Sequence, residues 1–206
     1  MPWGIVSKQN PKHTTMKKIS LLLFAFAVYI SALAQTTMLP TQERFFDDKA
    51  KILYRFHQAF PEGGDSTLCA LFDVDRDGTP ELFVKDKDGN KAMAWYSGNI
   101  LRFEDLGYWM MGVTIWPRFV VSEGSAGTGV AVEYLIEMRK SRIINNVTIT
   151  KEFRYEGEGD DMEASIEESY SEGYDDAKVK KIRSRIRRKN GAVTFNDLDW
   201  QPYVLE

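Results

Sequence analysis

The spacing of apolar residues predicts one helix that begins near Thr41, followed by a series of short strands. From Phe45 to Phe60 the apolar residues recur at helical spacing, Thr41 can cap the first turn, and Pro61 ends the helix. Beyond this point apolar and polar residues alternate, which is typical of half-buried strands. The predicted strands cover residues 67–73, 81–85, 91–96, 99–103, 113–122, 129–138 and 143–155.

Residues that favour tight turns separate these strands and indicate antiparallel pairing between neighbours. The turn signals are Asp88-Gly89, Ser97-Gly98, the glycines at 124, 127 and 129, and Asn145-Asn146. Connections of this kind make consecutive strands pair as a β-meander. The sequence therefore predicts an α+β fold, in which an N-terminal helix packs on a mostly antiparallel meander and a C-terminal amphipathic helix follows.

The C-terminal third contains an acidic segment followed by a basic one. Residues 156–176 are rich in Asp and Glu and contain no Lys or Arg, so they predict a mobile acidic loop. A helix then begins at Asp175-Asp176, with Val179, Ile182 and Ile186 on its apolar side. Its many Lys and Arg residues predict a solvated face, with surface anchoring as the alternative. Residues 193–203 are expected to form a strand and a tail that carries Trp200 into the core.

The N-terminal segment predicts export. Met16-Lys17-Lys18 is followed by an apolar run over residues 19–33 and by the small-x-small site Ala32-Leu33-Ala34, so residues 16–34 form a predicted signal peptide. Residues 1–15 are interpreted as an upstream start extension, and residues 35–206 as a single domain. Gln35 stands where a lipoprotein needs Cys, so a soluble periplasmic or extracellular product without a transmembrane segment is expected, and a retained membrane helix is the alternative.

Cysteine content and charge bear on two further questions, namely whether the protein contains a disulfide and whether it binds nucleic acid. The formal net charge is −3, and the single cysteine, Cys69, rules out an intramolecular disulfide. Cys69 lies in an apolar run and is expected to be a buried structural thiol. Export argues against nucleic acid as a partner, although the C-terminal helix is basic.

A cluster of acids lies between the first two predicted strands. Asp73, Asp75, Asp77 and Glu81 occupy positions 1, 3, 5 and 9 of a loop whose sixth residue is Gly78. Carboxylates at this spacing repel one another unless a hard cation takes their oxygens, and the Thr79 carbonyl can add a backbone ligand. The loop therefore predicts a Ca²⁺ site formed by Asp73, Asp75, Asp77, Thr79 and Glu81; a solvated turn without an ion is the alternative.

The loop is not a typical EF-hand, because position 12 is Val84 and strands flank it instead of helices. With Pro80 and Leu82 on either side of Glu81, it resembles the calcium loops of FG-GAP and VCBS repeats and the single DxDxDGxPEL loop of small secreted bacterial proteins. The resemblance covers roughly residues 50–140, and it implies a structural ion. Because the motif occurs once, the sequence does not predict a complete propeller.

No catalytic residue is assigned from the sequence. His57, on the first helix, is expected to pack in a partly buried position, and the sequence lacks the motifs of serine hydrolases and zinc proteases. Exposed members of an aromatic group, namely Trp95, Tyr96, Tyr108, Trp109 and Trp116, could bind a sugar or a protein. The predicted function is thus an exported, non-enzymatic calcium-binding protein with a protein or glycan partner at the cell envelope or outside the cell. A small carboxylate-pair glycoside hydrolase is the alternative.

Overall fold

The computed structural model describes residues 40–64, 66–156 and 163–204, which belong to one compact unit. The predicted start extension and signal peptide lie outside these residues, as does the predicted cleavage site before Gln35. None of the described helices combines the length and the apolar character needed to cross a membrane.

The predicted N-terminal helix is present as two helices separated by one residue. Helix α1 spans Pro40–Asp47 and helix α2 spans Lys49–Ala59. Asp48 leaves helical geometry with φ −90° and ψ 13°, yet its N–H still donates to the Arg44 carbonyl and its carbonyl accepts from Ile52. The apolar stripe therefore continues across the break and buries Phe45, Ile52 and Phe56.

Strands β1–β4 form a meander in the first sheet. They span Thr67–Phe72, Glu81–Asp86, Lys91–Ser97 and Ile100–Gly107, and they pair in sequence order. A short C-terminal strand, β11 (Gln201–Pro202), adds to the free edge of β1. All pairs in this sheet are antiparallel, as predicted.

A second antiparallel sheet contains the remaining strands in the order β10-β5-β6-β7-β8-β9. The four strands from β5 to β8 span Met111–Trp116, Phe119–Gly127, Val130–Met138 and Ile143–Glu156. Strand β9 spans Glu163–Tyr170, and β10 is the pair Val193–Thr194 at the opposite edge. The protein is thus α+β, with β-structure dominant.

Three apolar clusters show how the sheets and helices are layered. The central cluster lies between the sheets and includes Phe83 and Trp95 from the first sheet and Ile115 from the second. A further cluster joins the other face of the first sheet to α1 and α2, and a third joins the second sheet to helix α3, Asp176–Arg187. The order of layers is helix, sheet, sheet, helix. Both sheets are therefore covered on both faces over much of their area, and burial of apolar surface on each face is the main source of stability.

The structure corrects two turn assignments. The single strand predicted over residues 113–122 is two strands, since the chain reverses at Pro117 and Arg118, and Arg118 takes a φ of 77°. Asn145-Asn146 does not form a turn but lies within β8. The reversal before β8 occurs at Arg139–Arg142, where Lys140 and Ser141 have φ values of 51° and 53°. These left-handed residues are not glycines, so composition alone gave no turn signal.

The predicted acidic loop over residues 156–176 is also corrected. Residues Glu163–Tyr170 form β9. The whole of β9 pairs with the second half of β8, and Phe153 lies directly opposite Ile166. Glu167 is exposed on this strand and forms a cross-strand ion pair with Arg154 at 2.6 Å, which supports the pairing. Residues 157–162 lie outside the described part of the chain.

The C-terminal helix and tail follow the prediction more closely. Asp175 caps α3 by accepting a hydrogen bond from the Lys178 N–H, and Val179, Ile182 and Ile186 are buried. After it, a 3-10 helix at Phe195–Asp197 precedes β11. Trp200 packs partly buried against the central cluster, and Tyr203 is fully buried beneath α1.

Candidate metal centre

The acidic loop between β1 and β2 brings three carboxylates together. Asp73 follows the last residue of β1, and Glu81 is the first residue of β2, so the loop closes a hairpin in which Phe72 and Glu81 are paired. Carboxylate oxygens of Asp73, Asp75 and Asp77 all lie within 4.8 Å of one another. This group could hold a metal ion, and oxygen-only ligands favour a hard cation.

Backbone hydrogen bonds fix the shape of the loop. The Asp73 carboxylate accepts from the N–H groups of Asp77 at 3.1 Å and Gly78 at 2.8 Å, and Asp77 accepts from Thr79 N–H at 2.8 Å. Gly78 has a φ of 89°, the left-handed conformation expected from its position in the motif. These bonds hold the Asp73 and Asp77 carboxylates against the backbone of the loop.

The second sheet contributes a contact that the sequence did not reveal. In the turn between β7 and β8, Ser141 donates its N–H to Asp75 Oδ2 and its hydroxyl to Asp77 Oδ2, both at 3.2 Å. The Arg118 N–H, in the turn between β5 and β6, donates to the Val74 carbonyl at 2.7 Å. The loop therefore bridges the two sheets, and an ion bound there would tie them together.

Glu81 is buried beneath the loop without a cationic partner among the described residues. Its side chain has 0% exposure; Oε2 accepts from the Val74 N–H at 2.9 Å, and Oε1 has no hydrogen-bond partner among the described residues. Burial raises the pKa of Glu81 to about 8, and the charges of Asp75, Asp73 and Asp77 add to the increase. Asp75 shows the same pattern, since burial raises its pKa and its buried Oδ1 also lacks a hydrogen-bond partner in the described part of the chain.

The other buried acids in the described part of the chain are satisfied. Glu133 forms ion pairs with Lys151 at 2.7 Å and Arg183 at 2.6 Å. Glu137 is paired with Arg185 at 2.9 Å. Asp86 has no cation at ion-pair distance, but its two oxygens accept hydrogen bonds from the residues of the following turn. Glu81 is the exception, and an unpaired buried carboxylate beside three others is the environment in which a cation is most stabilising.

The structure brings only some of the predicted ligands close together. Asp73, Asp75 and Asp77 form the carboxylate group itself, whereas Glu81 lies outside its 4.8 Å limit and interacts with it electrostatically. Thr79 lies in the loop, where its N–H caps Asp77; its carbonyl stays a predicted ligand. Ser141 is the residue that sequence reasoning missed, because it is distant in sequence and carries no metal-binding signature.

Two carboxylates that share a cleft are engaged in ion pairs and therefore bear on the glycosidase alternative. Glu133 and Glu168 line a cleft beside α3, and Arg183 contacts both. Burial acts to raise the pKa of Glu133, but hydrogen bonds from Arg183 and Lys151 outweigh it and the pKa is lowered. Arg183 likewise lowers the pKa of Glu168. A general acid needs a raised pKa, so this pair is poorly suited to that role.

The surroundings of His57 and Cys69 favour a packing role for both residues. His57 is partly buried and packs edge-on against Phe56, with ring centroids 6.1 Å apart. Cys69 is buried, and burial raises its pKa to about 11, which disfavours the reactive thiolate.

The aromatic group divides into buried and accessible members. Trp95 and Tyr96 point to opposite faces of β3, as alternation predicts, but both are buried because each face is covered by its own apolar cluster. Neither is therefore available as an exposed binding residue. Trp109 is 70% exposed and Tyr108 is 37% exposed, both in the turn between β4 and β5.

Comparison with known proteins found no matching family model, no matching curated protein and no matching solved structure. The chemistry of the site therefore has to be judged from its own residues.

Proposed function

We propose that the β1–β2 loop binds Ca²⁺ as a structural ion within an exported, non-enzymatic binding protein. The metal proposal rests mainly on the surroundings of Glu81. Among the described residues, its buried carboxyl group has no cationic partner and no second hydrogen-bond partner. A divalent ion on the three aspartates would offset the repulsion that raises the pKa of Glu81.

Calcium fits this ligand set better than magnesium does. Carboxylates from one hairpin loop, together with the Thr79 carbonyl, can contribute to the irregular shell of six to eight oxygens that Ca²⁺ accepts, whereas Mg²⁺ demands a near-ideal octahedron. The likeness to FG-GAP and VCBS loops points the same way. If the protein is exported, as its N-terminal sequence predicts, ambient calcium would fill even a site with a dissociation constant on the order of 0.1 to 1 mM.

The ion would act on the fold through the junction of the two sheets. Its ligands come from the β1–β2 loop, and Ser141 and Arg118 attach that loop to turns of the second sheet. The N-terminal helices on the first sheet and the amphipathic helix α3 on the second complete the framework. In this proposal the framework presents a surface that binds a protein or glycan at the cell envelope or outside the cell.

Thermal unfolding in excess EDTA and in millimolar calcium tests the metal proposal. At a hundredfold excess over the dissociation constant, bound calcium stabilises the folded state by about 2.7 kcal/mol. We expect this gain in the wild type and in Asp199→Asn, an exposed acid outside the loop, but not in Asp75→Ala. Identical melting temperatures with and without calcium in the wild type would refute the proposal, and an equal response to magnesium would refute the choice of ion.

A further inference from the structure

A cavity opens at the end of the central core, between the two sheets. Its volume is about 560 Å³. Lys85 and Lys91 line it from the first sheet, Thr114 from the second, and Thr194 and Asn196 from the C-terminal segment. It lies away from the acidic loop, which is at the other end of β2. Apolar and aromatic side chains, among them Trp109, Met111 and Phe195, line it together with a few polar groups, which is the usual make-up of a small-molecule site.

Two lysines that line this cavity occupy directly opposed backbone positions. Lys85 on β2 and Lys91 on β3 are cross-strand partners, and they continue the face that carries Phe83 and Met93 into the central core. Like charges at directly opposed positions destabilise a sheet. Both side chains are half-buried, so solvent screens their repulsion only in part. Burial lowers the pKa of each, and Lys85 lowers that of Lys91 further, although Asp86 acts in the opposite direction.

Neither lysine forms an ion pair with a described carboxylate. Lys91 Nζ donates to the carbonyls of Gly89 at 2.7 Å and Tyr108 at 3.1 Å. Lys85 Nζ lies 4.1 Å from the ring centroid of Trp200. Asp86 is the acid in the cavity wall, but its oxygens already accept three hydrogen bonds from the β2–β3 turn. Two cations against one engaged carboxylate leave a net positive charge on the cavity.

An exposed indole stands at the rim of the same cavity. Trp109 is 70% exposed, yet its backbone is held close to Gly89: a Cβ placed on Gly89 would lie 2.7 Å from the Trp109 Cβ. The turn between β4 and β5 therefore packs closely against the turn between β2 and β3, and the Trp109 ring is exposed to solvent. An aromatic face of this kind can stack against the apolar face of a sugar ring.

We propose that this cavity binds an acidic saccharide, with the sugar carboxylate between Lys85 and Lys91 and the sugar ring against Trp109. The carboxylate would neutralise the opposed ammonium groups, and Thr114 and Asn196 offer hydrogen bonds to hydroxyls. The Thr194 hydroxyl already donates to Asp197, so its oxygen is left as an acceptor. This inference rests on the proposed function in one respect, since it specifies the glycan partner. It does not depend on the calcium site.

Calorimetric titration of the purified protein with trigalacturonic acid tests the inference, with the fully methyl-esterified trisaccharide as the matched neutral ligand and acetate as a carboxylate without a ring. We expect the acid to bind and the ester to bind at least about tenfold more weakly, because a charge-assisted hydrogen bond contributes about that factor. Equal binding of acid and ester would refute the role of the lysines. Acetate binding as tightly as the trisaccharide would refute the role of the sugar ring.

Three variants separate the cavity from general surface charge. Lys85→Gln should weaken binding of the acid about tenfold or more, and Trp109→Ala about threefold to tenfold while keeping the Cβ that packs on Gly89. Lys87→Gln removes an exposed lysine of the neighbouring turn outside the cavity and should change nothing. If Lys87→Gln weakens binding as much as Lys85→Gln does, the cavity assignment is refuted.

Titrations in EDTA and in calcium keep this inference distinct from the metal proposal. Binding of trigalacturonic acid that requires Lys85 and Trp109 supports the inference even if calcium leaves the melting temperature unchanged. A calcium-dependent melting temperature without binding of the acid, in wild-type protein that melts cooperatively, refutes the inference alone. Cooperative melting of Lys85→Gln shows that its loss of binding does not come from unfolding.

Discussion

Replacing Glu81 by glutamine should change stability in opposite directions with and without calcium. Glu81 is fully buried, and burial together with the neighbouring aspartates raises its pKa to about 8 from the ordinary value of 4.5. In metal-free protein at pH 7 this acid must stay protonated in the folded state, whereas it is ionised when unfolded. That difference destabilises the folded state by roughly 3 kcal/mol.

Glutamine has the shape of the protonated acid but does not ionise in the unfolded chain. Glu81→Gln should therefore stabilise the metal-free protein by up to roughly 3 kcal/mol at pH 7, and it should raise the melting temperature by roughly 6 to 12 °C. In calcium the sign reverses, because the variant lacks one anionic ligand and loses much of the gain that the ion provides. The assay is urea unfolding followed by circular dichroism, in EDTA and in calcium.

Glu137→Gln is the matched control for this experiment. Glu137 is also buried, with 1% exposure, but it is paired with Arg118 and Arg185. Its substitution leaves the partly buried Arg118 and Arg185 without their carboxylate partner, so we expect loss of stability in EDTA and in calcium alike. If Glu81→Gln is less stable than the wild type in EDTA, the reasoning about an uncompensated carboxylate is refuted.

Further predictions concern acid stability, thiol reactivity and a tight turn. Arg183 lowers the pKa of Glu168, so the interaction of the two residues stabilises the folded state above the ordinary pKa of Glu168, and this stabilisation is lost as the pH falls through the lowered pKa. In urea unfolding, Arg183→Met should therefore lose less stability than the wild type does between about pH 5 and pH 3. An identical pH profile of the two proteins would contradict this. Cys69 should not react with Ellman's reagent until the protein is unfolded, since burial raises its pKa to about 11; rapid labelling of the native protein would contradict this. Gly89→Ala should destabilise more than Gly98→Ala, because both have positive φ but only a Cβ at Gly89 would lie 2.7 Å from a tryptophan Cβ; equal melting temperatures would argue against the close contact.

Local sequence patterns were sufficient for most elements of the fold. The helical stripe of Phe45 and Phe56, the alternation in β5 and the apolar positions of α3 each depend on neighbouring residues, so their periods are visible in the chain. The prediction failed where non-glycine residues take left-handed conformations, as at Arg118 and Ser141. There the turn is selected by the pairing of the strands around it, and composition gives no signal.

The acidic segment is a second place where local sequence did not predict the structure. Its high charge predicted a loop, but Glu163–Tyr170 pairs with β8, where the backbone hydrogen bonds and ion pairs of an existing sheet edge support a strand. Similarly, alternation placed Trp95 and Tyr96 on opposite faces correctly but could not show that both faces are covered. Tertiary context overrides propensity in each case.

By itself, the sequence determined the spacing of the carboxylates at Asp73, Asp75 and Asp77 and the left-handed turn at Gly78, because a short loop is shaped by bonds among its own residues. Only the tertiary structure decided that Glu81 is buried without a cation, and that two lysines oppose each other at a cavity. These properties depend on which distant segments pack around a side chain. They arise when the sheets and helices assemble, since burial and charge compensation are set by neighbours in space.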